Sequence, residues 1–181
     1  MREIEIKAKV KNLNELIKTV EKLGGKLSAA KTQHDRVFTR GDQPGAAGST
    51  FLRIRTETNN ELAKHYFTLK RMVTGHGDKL EFETEIADDE IMLGAFNVLD
   101  FRPYVEVKKT RRSARISKYE ICLDSVDNLG DFVEVEFMAL DDSDHVKIEN
   151  ELWEFAKKLG IEKPAEPLKG YDVMLKNKEE K

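Results

Sequence analysis

The sequence predicts an α+β fold built mainly from antiparallel strands, with helices packed against them. About eight segments alternate apolar and polar residues with the period of two typical of strands, and most of them follow one another through turns. A few other segments change to the helical period. The chain has 181 residues, of which 39% are hydrophobic, so it can bury the core of one domain spanning residues 1–181.

The first elements show the change of period. Residues 2–11 alternate between apolar and charged side chains, which predicts a strand with one apolar face. After Asn12, apolar residues recur on one helical face as far as Leu23, and two glycines then end the predicted helix. A second strand is predicted near Lys31–Thr39.

The middle of the chain predicts a run of strands followed by one helix. The glycine-rich segment Gly41–Ser49 lacks the spacing and the lysine of a phosphate loop, so we interpret it as a long hairpin connection, with a substrate-covering role as the alternative. The predicted strands are Thr50–Glu57, Lys64–Val73 and Lys79–Ile86. Asp88 and Asp89 are expected to cap a helix. Its apolar face would comprise Ile91, Met92, Ala95, Phe96 and Leu99.

The last third of the chain predicts three more strands and two helices. The strands are expected near Arg102–Arg112, Arg115–Asp124 and Asp131–Met138. A helix capped within Asp141–Ser143 would end at Gly160, and a short helix would follow near Leu168–Lys176.

Composition excludes several classes of protein. The chain has 31 Lys+Arg against 34 Asp+Glu, a balance that argues against a nucleic-acid partner. No segment approaches the roughly 18 apolar residues of a membrane span, and the N-terminus is charged at once. A single cysteine, Cys122, permits no internal disulfide and fits a cytoplasmic protein. Four histidines without close spacing argue against a zinc site.

Charged residues make up 36% of the chain, and many recur at every second position of a predicted strand. These rows are Glu3, Glu5 and Lys7; Arg53 and Arg55; Thr68 and Lys70; Glu81, Glu83 and Glu85; Lys109 and Arg111; and Glu134 and Glu136. The solvated face of an antiparallel sheet can carry charges without any further role. If the sheet closes on itself, however, acidic and basic rows face one another across a polar interior.

A polar interior of this kind has a chemical use. Clustered carboxylates prefer hard divalent cations such as Mg²⁺ or Mn²⁺. Convergent lysines and arginines hold phosphate oxygens. A polyphosphate with a bound metal needs both sets of side chains in one place, so we favour this ligand.

The charged rows also resemble a known family. The segment Glu3-Ile4-Glu5-Ile6-Lys7 is similar to the ExExK signature of the CYTH superfamily, the triphosphate tunnel metalloenzymes. The resemblance continues in order over nearly the whole chain, through Leu52-Arg53-Ile54-Arg55, Thr68-Leu69-Lys70, Glu83-Thr84-Glu85, Lys109-Thr110-Arg111, Leu123-Asp124, the segment Leu129–Glu136 and Lys169-Gly170-Tyr171.

The resemblance implies a closed antiparallel barrel of about eight strands that forms a charged tunnel, with helices outside. It implies metal ligands at Glu3, Glu5, Asp124, Glu134 and Glu136, with Mg²⁺ or Mn²⁺ as the cofactor. It implies substrate-binding residues at Lys7, Arg53, Arg55, Lys70, Glu83, Glu85, Lys109, Arg111 and Lys169. The residues expected to take part in catalysis are Glu3, Glu5, Lys7 and Glu136.

Within the superfamily, the segment Gln33–Phe38 resembles the QxDxYF stretch of class IV adenylyl cyclases. The resemblance therefore implies conversion of ATP to cyclic AMP and pyrophosphate. The alternatives are a triphosphatase that hydrolyses inorganic triphosphate or a nucleoside or thiamine triphosphate, and a polyphosphate-binding module without turnover. The expected partner is a small-molecule triphosphate, and a homodimer is one option for the assembly.

Overall fold

The computed structural model describes residues 2–41, 46–59, 62–74, 77–140 and 142–180. These residues form eight strands and four helices. The strands are β1 (Arg2–Lys9), β2 (Lys31–Thr39), β3 (Thr50–Asn59), β4 (Leu62–Met72), β5 (Asp78–Ile86), β6 (Arg102–Ile116), β7 (Tyr119–Val126) and β8 (Gly130–Ala139). The helices are α1 (Leu13–Lys22), α2 (Asp89–Val98), α3 (His145–Lys158) and α4 (Tyr171–Glu179). None of these helices is long and apolar enough to cross a membrane.

The eight strands close into one barrel in the order β1-β5-β4-β3-β2-β6-β7-β8. All neighbouring strands are antiparallel, and β1 completes the circle between β5 and β8. The prediction of a closed antiparallel barrel with helices is therefore confirmed. Successive side chains of a strand point to opposite faces of the sheet. When the sheet closes, every second side chain of each strand therefore points into the barrel, and the others point outward.

Outward-facing apolar side chains bind α1 and α3 to the barrel. Ile4 and Ile6 of β1 and Val133 and Val135 of β8 are buried in one cluster with residues of both helices, including Leu152. The side chain of Asn12 caps α1, as its position before the helix predicts. Helix α3 is capped by Asp144 instead of within Asp141–Ser143, so that prediction is wrong for 142–143, while Asp141 lies outside the described residues.

Helix α2 contacts the barrel through a narrower face than the sequence predicts. Phe96 is buried against Phe38, with ring centroids 5.2 Å apart, and against Leu52 and Ile54. Ile91 and Leu99 are 71% and 55% exposed, so their predicted burial is wrong. Met92 of the predicted face and the neighbouring Leu93 also pack against this cluster, whereas Ala95 is exposed like Ile91 and Leu99.

Helix α4 covers one end of the barrel interior. Seven inward-facing apolar residues form a cluster there with Tyr171 and Leu175 of the helix, and they are Val37, Phe51, Met72, Val105, Val107, Val126 and Phe132. The helix begins at Tyr171, three residues later than the sequence predicts. The charged part of the interior therefore lies directly beside an apolar end closed by α4.

The hairpin of β6 and β7 turns later than predicted. Strand β6 runs to Ile116, and Ser117 in the turn has a φ of 56°. The polar residues from Arg112 onward suggest a break, but Arg115 pairs with Glu120 across the hairpin and the ladder continues. Cys122 on β7 shares the inward parity of Asp124 and is buried.

Candidate active site

The barrel encloses a cavity of about 750 Å³ to which all eight strands contribute. Its charged lining residues include Glu3, Glu5, Lys7, Asp35, Arg53, Arg55, Lys70, Lys79, Glu81, Glu83, Lys109, Arg111, Glu120, Glu134 and Glu136. Residues 166–173, before and at the start of α4, line the same space. The charged rows of separate strands thus meet across one interior.

Three carboxylates form an acidic group on β1 and β8. Glu3 and Glu5 lie on the inward face of β1, and Glu5 stands directly opposite Glu136 on β8. One oxygen from each of the three side chains lies within 4.8 Å of the other two. Hard oxygen donors from three carboxylates are the ligands that Mg²⁺ and Mn²⁺ favour, so the donor set fits the divalent metal that sequence analysis expects.

Lys79 of β5 lies against this acidic group. Its Nζ is 2.8 Å from Glu3 Oε1 and 2.8 Å from Glu5 Oε2, and the Lys79 side chain is only 7% exposed. Burial alone would lower the pKa of Lys79, but the carboxylates of Glu3 and Glu5 hold it well above its usual value. Lys79 is absent from the site residues predicted from the sequence, although it shares the inward parity of Glu81 and Glu83.

Glu136 differs from the other two members of the acidic group because Lys79 does not contact it. Burial, together with the nearby charges of Glu3, Glu134 and Glu5, raises the pKa of Glu136 to about 8 against the opposing effect of Arg111. In the absence of a cation, this carboxyl therefore carries a proton at neutral pH.

The raised pKa of Glu136 predicts a pH dependence of stability. The pKa is 4.5 in an unfolded chain and about 8 in the fold, so the folded state binds the extra proton between these values. The free energy of unfolding of metal-free protein is therefore expected to fall as the pH rises through this window, by up to about 1.4 kcal/mol per pH unit. Glu136→Gln should lack this contribution. The measurement is urea unfolding in EDTA at several pH values. The prediction is contradicted if the free energy of unfolding has the same pH dependence in the wild type and in Glu136→Gln.

One basic wall comprises residues of β3 and β4. Arg55 donates to both oxygens of buried Asp35, at 2.7 and 2.8 Å. Arg53 donates to Thr68 Oγ1 at 3.0 Å and to Glu83 Oε2 at 2.9 Å. These pairs fix the direction of both guanidinium groups along the cavity.

Lys70 extends this wall and lies 2.6 Å from Glu81 Oε2. Burial raises the pKa of Glu81, but Lys70 and Arg53 outweigh it and bring the pKa to about 2. Glu81 therefore remains charged, and Lys70 has a carboxylate partner outside the acidic group.

A second basic wall is organised by Asp124, which is fully buried on β7. Arg111 Nε donates to Asp124 Oδ1 at 2.6 Å, and Lys109 Nζ lies 3.2 Å from Oδ2. Arg111 also contacts Glu134. The family resemblance implies metal contacts for Asp124 and Glu134; in the structure both carboxylates pair with Arg111, and the group of three clustered carboxylates comprises Glu3, Glu5 and Glu136.

Tyr171 joins α4 to this wall. Its hydroxyl donates to Asp124 Oδ2 at 3.0 Å. The Lys7 and Lys109 ammonium groups lie 4.0 and 5.0 Å from the centroid of its ring. Lys7 Nζ also lies 3.0 Å from Glu134 Oε1. The sequence signal for Tyr171 is its place in the motif Lys169-Gly170-Tyr171 that closes the family resemblance.

The remaining predicted residues lie toward the edges of the cavity. Glu83 and Lys169 both line the cavity. The Glu83 side chain is 38% exposed, and Lys169 is exposed as well. Glu85 is 53% exposed, pairs with Lys64 at 2.8 Å and does not line the cavity. Ala46 is a lining residue, whereas 42–45 of the segment Gly41–Ser49 lie outside the described residues.

A closed barrel with a carboxylate group beside two basic walls has the chemistry to hold a polyanion together with a cation. Comparison with known sequences gives the family. The chain belongs to the CYTH domain family, whose model matches residues 1–171. Members of this family are adenylyl cyclase-like or triphosphatase enzymes.

The chain is also similar to individual proteins over most of its length. A Methanocaldococcus jannaschii protein named "Putative adenylate cyclase" is 32% identical over 171 residues, which is 90% of this chain and 92% of the relative. The structure of a conserved hypothetical protein of Pyrococcus furiosus matches with a TM-score of 0.77 at 27% identity, covering 94% of this chain and 98% of the other. A Hippeastrum "putative adenylyl cyclase" with a dominant triphosphatase activity matches with a TM-score of 0.61 at 17% identity, covering 99% and 96% of the two chains.

Proposed function

We propose that this protein is a metal-dependent enzyme of the class IV adenylyl cyclase type, which converts ATP to cyclic AMP and pyrophosphate. The observation that carries the proposal is the acidic group of Glu3, Glu5 and Glu136 beside two basic walls in one closed cavity. The M. jannaschii relative supports the cyclase reaction by its name. In this reaction the ribose 3′-hydroxyl releases its proton to solvent and its oxygen forms a bond to the α-phosphorus of ATP, as the bond from that phosphorus to pyrophosphate breaks.

The acidic group would hold Mg²⁺ or Mn²⁺. When bound, such a cation supplies neutralising charge at the phosphate oxygens. Lys7, Arg53, Arg55, Lys70, Lys109, Arg111 and Lys169 would hold the triphosphate, and Lys7 would offset the charge that moves onto the leaving pyrophosphate. Asp35 and Asp124 would act as positioning residues because they orient Arg55 and Arg111. We assign Glu134 to the same role and Glu83 to the edge of the binding surface.

A triphosphatase is the second candidate. The same walls can hold a triphosphate while water attacks the terminal phosphorus, so that orthophosphate leaves. The Hippeastrum protein shares the fold and is described with a dominant triphosphatase activity, so the fold alone does not select the reaction. A binding module without turnover is disfavoured, because an anion binder gains nothing from three clustered carboxylates that repel the anion.

Product analysis tests the proposal. The purified protein is incubated with Mn²⁺ and either ATP or inorganic triphosphate, and the products are separated by anion exchange. We expect cyclic AMP and pyrophosphate from ATP, and no product when EDTA replaces Mn²⁺. Orthophosphate from either substrate would overturn the cyclase in favour of the hydrolase, and intact substrates would overturn both.

Further parts of the proposal concern the chain as a whole. We propose that residues 1–181 act as one unit in a reducing cytoplasm, a setting supported by a single buried free cysteine, Cys122. A homodimer remains a prediction of the sequence analysis, which size-exclusion chromatography with light scattering would test.

A further inference from the structure

Lys79 occupies the ligand oxygens of the candidate metal site. Its ammonium contacts one oxygen of Glu3 and one of Glu5, both at 2.8 Å. All three side chains are buried, with exposed fractions of 7% for Lys79, 10% for Glu3 and 14% for Glu5. A lysine pairing with a single surface carboxylate would need no explanation. A buried lysine that bridges two of three clustered carboxylates needs an explanation, because a divalent cation would need the same oxygens.

We propose that Lys79 is a built-in counter-ion of the metal site: it neutralises Glu3 and Glu5 in the metal-free protein and leaves them when a divalent cation binds. Its ammonium then turns into the cavity and contacts a phosphate oxygen of the triphosphate. This inference rests on the proposed function, since it assumes that the acidic group binds a metal and that the cavity binds a triphosphate.

The charges of the site give the physical reason for the exchange. Without a cation, the carboxylates of Glu3 and Glu5 lie close together and repel each other, and the ammonium of Lys79, 2.8 Å from an oxygen of each, offsets that repulsion. A divalent cation on the same oxygens would repel the ammonium at short range. Lysine has a flexible four-carbon stem and three donors, so Nζ can change partners while its strand stays paired.

The freed ammonium needs a new acceptor because Lys79 is buried. Lys79 projects from the cavity wall beside Glu81, whose Oε2 is already 2.6 Å from Lys70. A phosphate oxygen in the cavity would satisfy the ammonium. Lys79 therefore couples the two ligands: bound metal favours bound triphosphate, and the coupling is reciprocal.

The test is a direct Mn²⁺ titration by calorimetry, with Lys79→Met and Lys79→Gln against the wild type. Both variants remove the charge, and Gln keeps a hydrogen-bond donor for one carboxylate. We expect both to bind Mn²⁺ at least about tenfold more tightly. Lys118→Met is the control, since it removes an ammonium that pairs with Glu151 at 2.7 Å outside the cavity, and its Mn²⁺ affinity should change less than about threefold.

A second measurement tests the coupling. Binding of imidotriphosphate, in which nitrogen replaces the bridging oxygens and prevents hydrolysis, is measured with and without Mn²⁺. Mn²⁺ should increase the affinity for imidotriphosphate in both proteins, and the increase in the wild type should be at least about fivefold larger than the increase in Lys79→Met. Equal increases would overturn the transfer of Lys79 to the phosphate.

Unchanged or weaker Mn²⁺ binding in Lys79→Met and Lys79→Gln would overturn the counter-ion role. If either variant is unfolded without metal, recovery of its circular dichroism by Mn²⁺ supports the role, and failure to recover in both variants counts against it. The Mn²⁺ titration is independent of turnover, so an inactive protein that shows the expected affinities would contradict the proposed function while sustaining the role of Lys79.

Discussion

Glu5→Ala is expected to abolish metal-dependent turnover, with a loss of at least about 100-fold, because a bound metal contributes several kcal/mol to phosphoryl-transfer chemistry. Glu5 has the central place in the acidic group. It stands opposite Glu136, its Oε2 is 2.8 Å from Lys79, and its Oε1 is 3.8 Å from Lys7. The rate is measured at several Mn²⁺ concentrations with ATP and with inorganic triphosphate, and Mn²⁺ binding is measured in parallel.

Glu106→Ala is the matched control for Glu5→Ala. Glu106 is also a strand carboxylate, but its side chain is 59% exposed and it pairs with His34 outside the cavity. Its removal should leave both the rate and the Mn²⁺ affinity within about twofold of the wild type. If Glu5→Ala retains wild-type turnover and Mn²⁺ affinity while folded by circular dichroism, the acidic group is not the metal site.

Arg111→Met is expected to lower the free energy of unfolding by about 3–5 kcal/mol, the usual cost of breaking a buried ion pair by removing one partner. Arg111 donates to both oxygens of Asp124, at 2.6 and 2.5 Å, and also contacts Glu134. Burial would raise the pKa of each carboxyl, and Arg111 is among the cations that instead hold both pKa values below the usual range. The loss is measured by urea unfolding at pH 7.

The pH dependence of this loss identifies its cause. A carboxyl with a lowered pKa stabilises the fold above its unfolded pKa of about 4 and loses that contribution as the pH falls through its folded pKa. The difference between wild type and Arg111→Met should therefore narrow below about pH 4. Arg115→Met is the control, since Arg115 lies on the same strand with a side chain 73% exposed, and it should change stability by less than about 0.5 kcal/mol. A loss below about 1 kcal/mol in Arg111→Met would show that Asp124 and Glu134 do not depend on it.

Much of the fold and the rows of site residues could be predicted because strand side chains have a period of two. Glu3, Glu5 and Lys7 share one face of β1 whatever the strand pairs with, and the apolar residues between them must face a core. The same argument placed Arg53 and Arg55 together. A period does not specify where a strand turns, so the end of β6 was predicted too early, and it does not specify how much of a helix face is covered, as the exposure of Ile91 shows.

Contacts between rows could not be predicted in the same way. Lys79 meets Glu3 because β5 pairs with β1 across the closure of the barrel, a register that no local pattern specifies. Asp124 resembles a metal ligand in sequence, yet Lys109, Arg111 and Tyr171 converge on it in the fold. Tyr171 reaches the site from a helix that follows the last strand by more than thirty residues.

The sequence by itself determined which residues could face the interior and what charges they would bring, because alternation and side-chain chemistry are local properties. Only the tertiary structure decided which charges meet. Barrel closure and strand register set the distances between side chains, and electrostatic interactions in a buried site depend steeply on those distances. The sequence thus supplied the carboxylates and the cations, and the closed barrel separated a group of three acids from the acids that hold the basic walls in place.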